Sequence, residues 1–257
     1  MVIGFIGSGN MAAAMARGWQ GAGKASPDRM LFTDSGSGRA RALADEVGGK
    51  AVDTNDELVR NSDFVVLAVK PNALEQVAEA LPAPRAVLSL LGATPLSRLT
   101  RDFPDSAVIR LMPNLGVEVR RGVICAAHPE GLDPEILREA RQLLGGIARV
   151  FELPDEQMDV ATALMGCSPA YFAVAAQEMI AEAVAGGIGP EAAARMMAES
   201  LAGTGELLGH RSPFEIQIAV ASPGGSTEAG LEALDHAGGA AAFKAAFEAS
   251  LVRMRGG

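Results

Sequence analysis

Aromatic side chains are scarce in this chain: one tryptophan, one tyrosine and nine phenylalanines make up 4% of its 257 residues. Strand-rich sandwiches draw on aromatic and β-branched residues. Here alanine, leucine, valine and methionine fill most of a 49% apolar share, which favours packed helices. Cysteine is scarcer still. Cys125 and Cys167 lack C-x-x-C spacing, which argues against a disulfide scaffold or a zinc site and predicts reduced thiols. Basic residues are in deficit, 22 Lys and Arg against 31 Asp and Glu, for a net charge of −9. Phosphate neutralisation needs a basic face, so nucleic acid is not expected as the main partner. Long hydrophobic runs are lacking too: no uncharged stretch of ~18 residues with membrane flanks stands out, and Ala161 to Val174 is too short. Val2 to Ile6 is short and has no positive leader, so no signal peptide is expected. A cytoplasmic protein without a membrane partner follows as the expectation. The histidines His128, His210 and His236 stand in turn-like contexts and read as surface residues.

What is present has a regular texture. Ile3–Ile6, Met30–Thr33, Phe64–Val69, Ala86–Leu91 and Ala107–Met112 are short apolar runs without polar alternation, as in strands buried on both faces. Helical patterns lie between them, at Asn10–Trp19, Gly38–Val47, Ala73–Leu81 and Pro95–Asp102. Val117–Ala127, a helix over Pro134–Leu144 and a strand over Ile147–Phe151 extend the series. This alternation predicts an α/β fold, a Rossmann-type doubly wound and mainly parallel sheet over residues 1–153. Beyond Leu153-Pro154-Asp155 the pattern turns almost wholly helical, predicting an all-α C-terminal domain over residues 154–257. Helices are expected over Asp155–Ala185, Glu191–Leu208 and Ser226–Asp235, with a last one after "HAGG". Stretches such as "AYFAVAAQEMIAEAVAGG" are apolar on more than one face. A domain of about 100 residues cannot bury several such helices internally, so a homodimer is expected.

Gly7-Ser8-Gly9-Asn10-Met11-Ala12 matches G-x-G-x-x-G/A between a strand and a helix. The first glycine permits the tight turn and the second lets a pyrophosphate approach the backbone. Ala12 keeps helix and strand close, and the helix N-terminus offers unpaired N–H groups to the phosphates. Asp34 stands where an acidic residue reaches a ribose diol, which favours NADH. Ser35, Ser37, Arg39 and Arg41 follow it, and hydroxyls with guanidinium groups suit the 2′-phosphate of NADPH. The expected cofactor is therefore NADPH or NADH, with NADPH slightly favoured. Asp34 and the serines also suit a plain helix cap.

Four further segments stand in order with "IGFIGSGNMA": "LAVKP" (67–71), "RLMPN" (110–114), "TALMGCSPAYF" (162–172) and "VASPGGSTEAGL" (220–231). Together they resemble the signature segments of pyrroline-5-carboxylate reductases across essentially the whole chain. The resemblance implies NAD(P)H-dependent reduction of the cyclic imine 1-pyrroline-5-carboxylate to L-proline. It implies cofactor contacts from Gly7, Ser8, Gly9, Asn10, Met11 and Asn55, from Ala68, Val69, Lys70 and Pro71, and from Asn114 beside the nicotinamide. Ser222, Gly224 and Gly225 are implied to cradle the substrate carboxylate. Thr227 is the polar residue implied to stand closest to the chemistry. Such a reaction needs few charged groups, because hydride attack on an iminium carbon depends mainly on proximity and orientation.

The match departs from the family pattern at Leu115 and Gly116, where Thr-Pro usually follows "MPN". It departs again at Met165, Cys167 and Ser168, and at His210, where an acidic residue often stands. These positions leave open a related cyclic imino acid as substrate, or a non-catalytic NAD(P)-binding paralogue. β-Hydroxyacid dehydrogenases share the layout but need a lysine on the interdomain helix. The lysines here are Lys24, Lys50, Lys70 and Lys244, none of them on Asp155–Ala185.

Overall fold

The computed structural model describes residues 1–256. Its centre is an eight-stranded sheet in the order β3-β2-β1-β4-β5-β6-β7-β8. In chain order these are β1 (Val2–Ile6), β2 (Arg29–Thr33), β3 (Lys50–Ala51), β4 (Phe64–Leu67), β5 (Ala86–Ser89), β6 (Ala107–Pro113), β7 (Gly122–Ala127) and β8 (Ala148–Glu152). All neighbours run parallel except β6 and β7. The helices between them are α1 (Asn10–Gln20), α2 (Arg39–Val47), α3 (Asn55–Arg60), α4 (Leu74–Ala80), α5 (Leu96–Asp102) and α6 (Pro134–Gly145).

Strand side chains alternate between faces, and here both faces are dry. Phe64, Val66, Leu88, Ile109 and Leu111 join one core, under residues of α1, α2 and α6. Val65, Leu67, Val87 and Val108 join the other, with Leu58, Leu74, Leu99 and Phe103. The scarce aromatics gather in the first core. Phe5 stacks on Phe32 at 4.9 Å between centroids and meets Trp19 at 5.9 Å. The indole N–H of Trp19, itself fully buried, donates to the Leu143 carbonyl at 2.9 Å.

The chain divides into two compact units, residues 1–167 with 251–256, and Ser168–Ser250. The segment 155–167 thus packs with the sheet, past the boundary expected near 153. Within it α7 (Met158–Ala161) leads into a wide π-helical turn, Thr162–Gly166. Met158 and Met165 are buried against Cys125 and Ala127 of β7, an attachment that long-range packing decides. An ion pair adds to it. Arg110 of β6 is 3% exposed and donates to Asp155 at 2.8 Å, with Asp159 at 3.5 Å. The second carboxylate oxygen of Asp155 accepts from the backbone N–H of Leu96 at the start of α5.

The remaining helices are α8 (Ser168–Ala185), α9 (Pro190–Leu207), α10 (Pro213–Val220), α11 (Ser226–His236) and α12 (Gly239–Met254). The second unit has little interior of its own. Phe172, Val174, Met179, Met196, Phe214 and Ile218 are each more than half exposed.

Several elements differ from the reading of the sequence. β3, α3 and α10 are too short for a periodic signal. The start of the expected strand Val117–Ala127 is instead a 3₁₀ turn, Leu115–Val119, closed by Arg120 at φ 59. His128 is half-buried rather than at the surface, 3.8 Å from Glu152. The helical run Asp155–Ala185 is, by length and composition, apolar enough to cross a membrane, with a mean hydropathy of 1.2. In the sequence "GCSP" interrupts this run; in the structure the π turn absorbs the interruption.

Removing the closer partner of a buried charge is costly, and without Asp155 the Arg110 guanidinium keeps only the longer contact to Asp159 at 3.5 Å. Asp155→Ala is therefore expected to lower stability by about 3 kcal/mol in urea denaturation. A variant as stable as the parent would show that Arg110 does not depend on Asp155.

Candidate functional site

The dinucleotide loop leaves the C-terminal end of β1, at the switch point where strand order reverses between β1 and β4. Ligands of doubly wound sheets bind at such a point. Gly7 has φ +97, and a Cβ there would lie 2.6 Å from the Ala68 carbonyl oxygen, so only glycine fits. Its N–H donates to the Thr33 carbonyl, which also accepts the Ser8 hydroxyl at 3.2 Å. A Cβ on Gly9 would meet no atom within 4 Å, so the space beside this residue is open. Gly9 caps α1 with no side-chain hydrogen bond. The first N–H groups of Asn10, Met11 and Ala12 have no intrahelical partner by helix geometry, which fits a pyrophosphate. Behind them Ala12 and Ala16 are fully buried.

The structure gathers Gly7 to Met11, Asp34, Asn55 and Ala68 to Pro71 around the ends of β1, β2 and β4. Thr33, which the sequence reading passed over, connects two of these groups. It offers its carbonyl to the loop, and its hydroxyl donates to Asn55 Oδ1 at 2.6 Å. Lys70 is exposed and precedes the 3₁₀ turn Pro71–Ala73.

The Asp34 carboxylate is engaged by its own loop. One carboxylate oxygen accepts the N–H groups of Gly36 and Ser37, at 2.7 and 3.0 Å. The other accepts Ala40 N–H at 2.7 Å and the Ser37 hydroxyl at 2.9 Å. A carboxylate has about four acceptor positions, and the loop that caps α2 uses that number. The Ala40 N–H contributes most to holding the Asp34 carboxyl below the usual range; the Ser37 hydroxyl and the Gly36 and Ser37 amides add to it. Ser35, Ser37, Arg39 and Arg41 stay exposed on the same loop and its helix.

Asn114 follows β6, two strands beyond β4 along the same edge of the sheet. Its Oδ1 accepts Val123 N–H at 3.0 Å and its Nδ2 donates to the Met165 carbonyl at 3.1 Å. The chemistry of that second bond lies in the sequence. An α-helix would pair the Met165 carbonyl with the N–H of residue 169, but Pro169 has none. Asn114 satisfies the orphaned acceptor, and the π turn closes beside it through Cys167 N–H to the Thr162 carbonyl.

In the second unit the "SPGGST" segment forms a turn into α11. Gly225 N–H donates to the Ser222 carbonyl at 2.9 Å, and Gly224 has φ +72. Gly224 N–H donates to a carboxylate oxygen of Glu228 at 2.7 Å. Gly225 caps α11 with no side-chain hydrogen bond, and Thr227 is half-buried in the first turn. Glu228 was also missed by sequence reasoning. Its signal was the spacing of a glutamate three residues after a helix cap.

Residues 155–256 match the family model described as pyrroline-5-carboxylate reductase dimerisation. Residues 2–91 match the model described as NADP oxidoreductase, coenzyme F420-dependent. The pyrroline-5-carboxylate reductase of Thermus thermophilus is 32% identical over 255 residues, 98% of this chain and 97% of that protein. The chain belongs to the pyrroline-5-carboxylate reductase family. A solved family member, from Streptococcus pyogenes, superposes with a TM-score of 0.88 at 26% identity, covering 99% of this chain and 98% of that one. The Plasmodium falciparum pyrroline carboxylate reductase, solved with NADP bound, shares the fold with a TM-score of 0.85 at 22% identity, covering 99% and 97% of the two chains. Family membership accounts for the pairing of a Rossmann-type sheet with an all-helical dimerisation segment. It makes the protein an oligomeric oxidoreductase that uses a nicotinamide dinucleotide.

The capping role of Asp34 has a measurable consequence. Asp34→Ala is expected to lower stability by about 1–2 kcal/mol at neutral pH. Because the folded-state pKa is depressed, that contribution is present above about pH 4 and fades as pH falls through the lowered value. Urea melts of parent and variant from pH 7 to pH 3 would converge at the acid end; a constant difference would refute the cap.

Proposed function

We propose that this protein reduces 1-pyrroline-5-carboxylate to L-proline with NADPH in preference to NADH. The observation that supports this most is the full-length family match, together with an intact "SPGG" turn and glycine loop in the chain itself. When bound, the nicotinamide supplies a hydride. The N-terminus of α1 and the open space beside Gly9 receive the pyrophosphate. The N–H groups at the start of α11, with Gly224 in the turn that Ser222 and Gly225 close, receive the substrate carboxylate. The Thr227 hydroxyl orients the imine and hydrogen-bonds the nascent amine as the C=N bond becomes C–N. Rate enhancement here comes from positioning rather than from a strong general acid.

The preference for NADPH rests on Asp34. With its acceptor positions filled by the loop, the carboxylate is a poor ribose ligand. The exposed Arg39 and Arg41 offer charge-assisted bonds to a 2′-phosphate. Asn55 keeps its Nδ2 group for the adenosine side, and Lys70 with Ala68, Val69 and Pro71 borders the nicotinamide half. Asn114 contributes by holding Met165 in place. A functional division near residue 153 and a cytoplasmic location complete the proposal, along with a homodimer formed through the exposed apolar helices.

The departures at Leu115, Gly116, Met165, Cys167, Ser168 and His210 favour testing a second reading, a related cyclic imino acid as substrate. Steady-state kinetics with a panel of cyclic imino acids and both cofactors decide between them. The pyrroline ring is expected to give the highest kcat/KM. NADPH binding without turnover of any panel member would instead indicate a non-catalytic paralogue.

Thr227→Ala is expected to reduce kcat by about 100-fold while the Kd for NADPH stays near the parental value. Unchanged turnover would remove Thr227 from the mechanism. Arg39→Ala is expected to raise KM for NADPH by about tenfold and leave KM for NADH unaltered, the loss of one charge-assisted bond. Light scattering at micromolar concentration is expected to give a dimer or a multiple of one; a monomer would contradict the proposed assembly.

A further inference from the structure

We infer that Glu228 acts as a built-in competitor for the substrate carboxylate, and so sets how tightly this enzyme holds its substrate. The inference rests on the role proposed above for the "SPGG" turn; it concerns a residue of that turn, not a separate site.

It follows from the N–H groups of the turn. The turn was expected to point the amides of Ser222, Gly224 and Gly225 at an acid. Two of them are engaged by the chain itself: Gly225 N–H by the Ser222 carbonyl and Gly224 N–H by Glu228. The first is part of the turn and has no reason to open. The second is a charge-assisted bond to a carboxylate, the same chemical group that the substrate carries. Gly224 N–H is one donor and two carboxylates cannot share it, since like charges repel at that distance. A substrate acid that uses Gly224 must first displace Glu228.

Displacement is possible because Glu228 is exposed and its side chain can swing into solvent. It carries a cost, because a carboxylate at a helix N-terminus is stabilised by the unpaired N–H groups and the dipole. Ser226 and Thr227, the other N–H donors of the first turn, face no side-chain cap from Gly225. The apo protein therefore divides its time between a closed state, with Glu228 on Gly224, and an open state that admits substrate. The apparent substrate affinity is scaled down by the open fraction.

Three variants test this in the full-length enzyme. Glu228→Ala removes the competitor. Glu228→Asp keeps the charge but is shorter by one methylene, which opens a 2.7 Å contact beyond hydrogen-bonding range. Glu228→Gln keeps the length and weakens the bond. KM for 1-pyrroline-5-carboxylate is expected to fall about three- to tenfold in Glu228→Ala and Glu228→Asp and less in Glu228→Gln, with the change in KM rather than in kcat. The Kd for cyclopentanecarboxylate, a ring acid without a C=N bond, measured by calorimetry with NADP⁺ present, is expected to fall in parallel. A lower KM in Glu228→Ala but a parental one in Glu228→Asp would mean simple charge repulsion and overturn the inference. Unchanged or weaker binding in both would overturn it as well. If no form turns over the imine, the proposed reaction fails. The calorimetric series still decides whether Glu228 competes for the acid. Thermal melts of each variant check that α11 stays folded.

Discussion

The constraint on which the first unit depends is that its central strands must be dry on both faces. Once β1, β4, β5 and β6 are covered on either side, polar chemistry is excluded from the body of the sheet and pushed to the strand ends. Ser8, Thr33 and Asn55 are there, joined through one hydroxyl and one carbonyl. The close approach of Gly7 to the Ala68 carbonyl follows from the same packing, since β1 and β4 are neighbours and their ends share one crevice. Where a charged group does enter, as Arg110 does from β6, it brings its own carboxylates with it.

A second theme is that carboxylates and amides expected to meet ligands are occupied by the chain itself. Asp34 turns inward on its own loop, Asn114 completes a helix broken by Pro169, and Glu228 lies on Gly224. Each satisfies main-chain groups that the local fold leaves unpaired. Buried or half-buried backbone groups need partners, and a polar side chain within reach supplies one whether or not a ligand also uses that place. Exposed residues on the cofactor side, Ser35, Arg39, Arg41 and Lys70 among them, keep their side chains available for other partners.

Much of the fold was legible in the sequence, and the reason is periodicity. The strands of the sheet read as unbroken apolar runs because both faces are buried, and α1, α2 and α6 carry one buried stripe each. The dinucleotide loop was legible because its glycine pattern reflects a steric requirement seen at Gly7. β3, α3 and α10 were not, being too short to show a period. The attachment of residues 155–167 to the sheet was also hidden. It depends on Met158, Met165 and Asp155 meeting residues far away in sequence. At the candidate site, residue identities were readable and their partners were not. The donors on Asp34 are backbone groups, and only the conformation of the loop aims them. Asn114 and Met165 form an exception in principle, because the missing N–H of Pro169 announces an orphan carbonyl.

The scarcity of aromatic residues has a practical side. The one tryptophan is fully buried in the first unit, its N–H held by Leu143. The one tyrosine is Tyr171, in the second unit, where its hydroxyl donates to the Ala246 carbonyl and meets Ser250. Each unit thus carries a single natural chromophore of a different kind. Indole emission excited at the red edge, where the phenol does not absorb, reports the sheet unit alone. That half can be watched by itself during unfolding or assembly, with no label and no substitution.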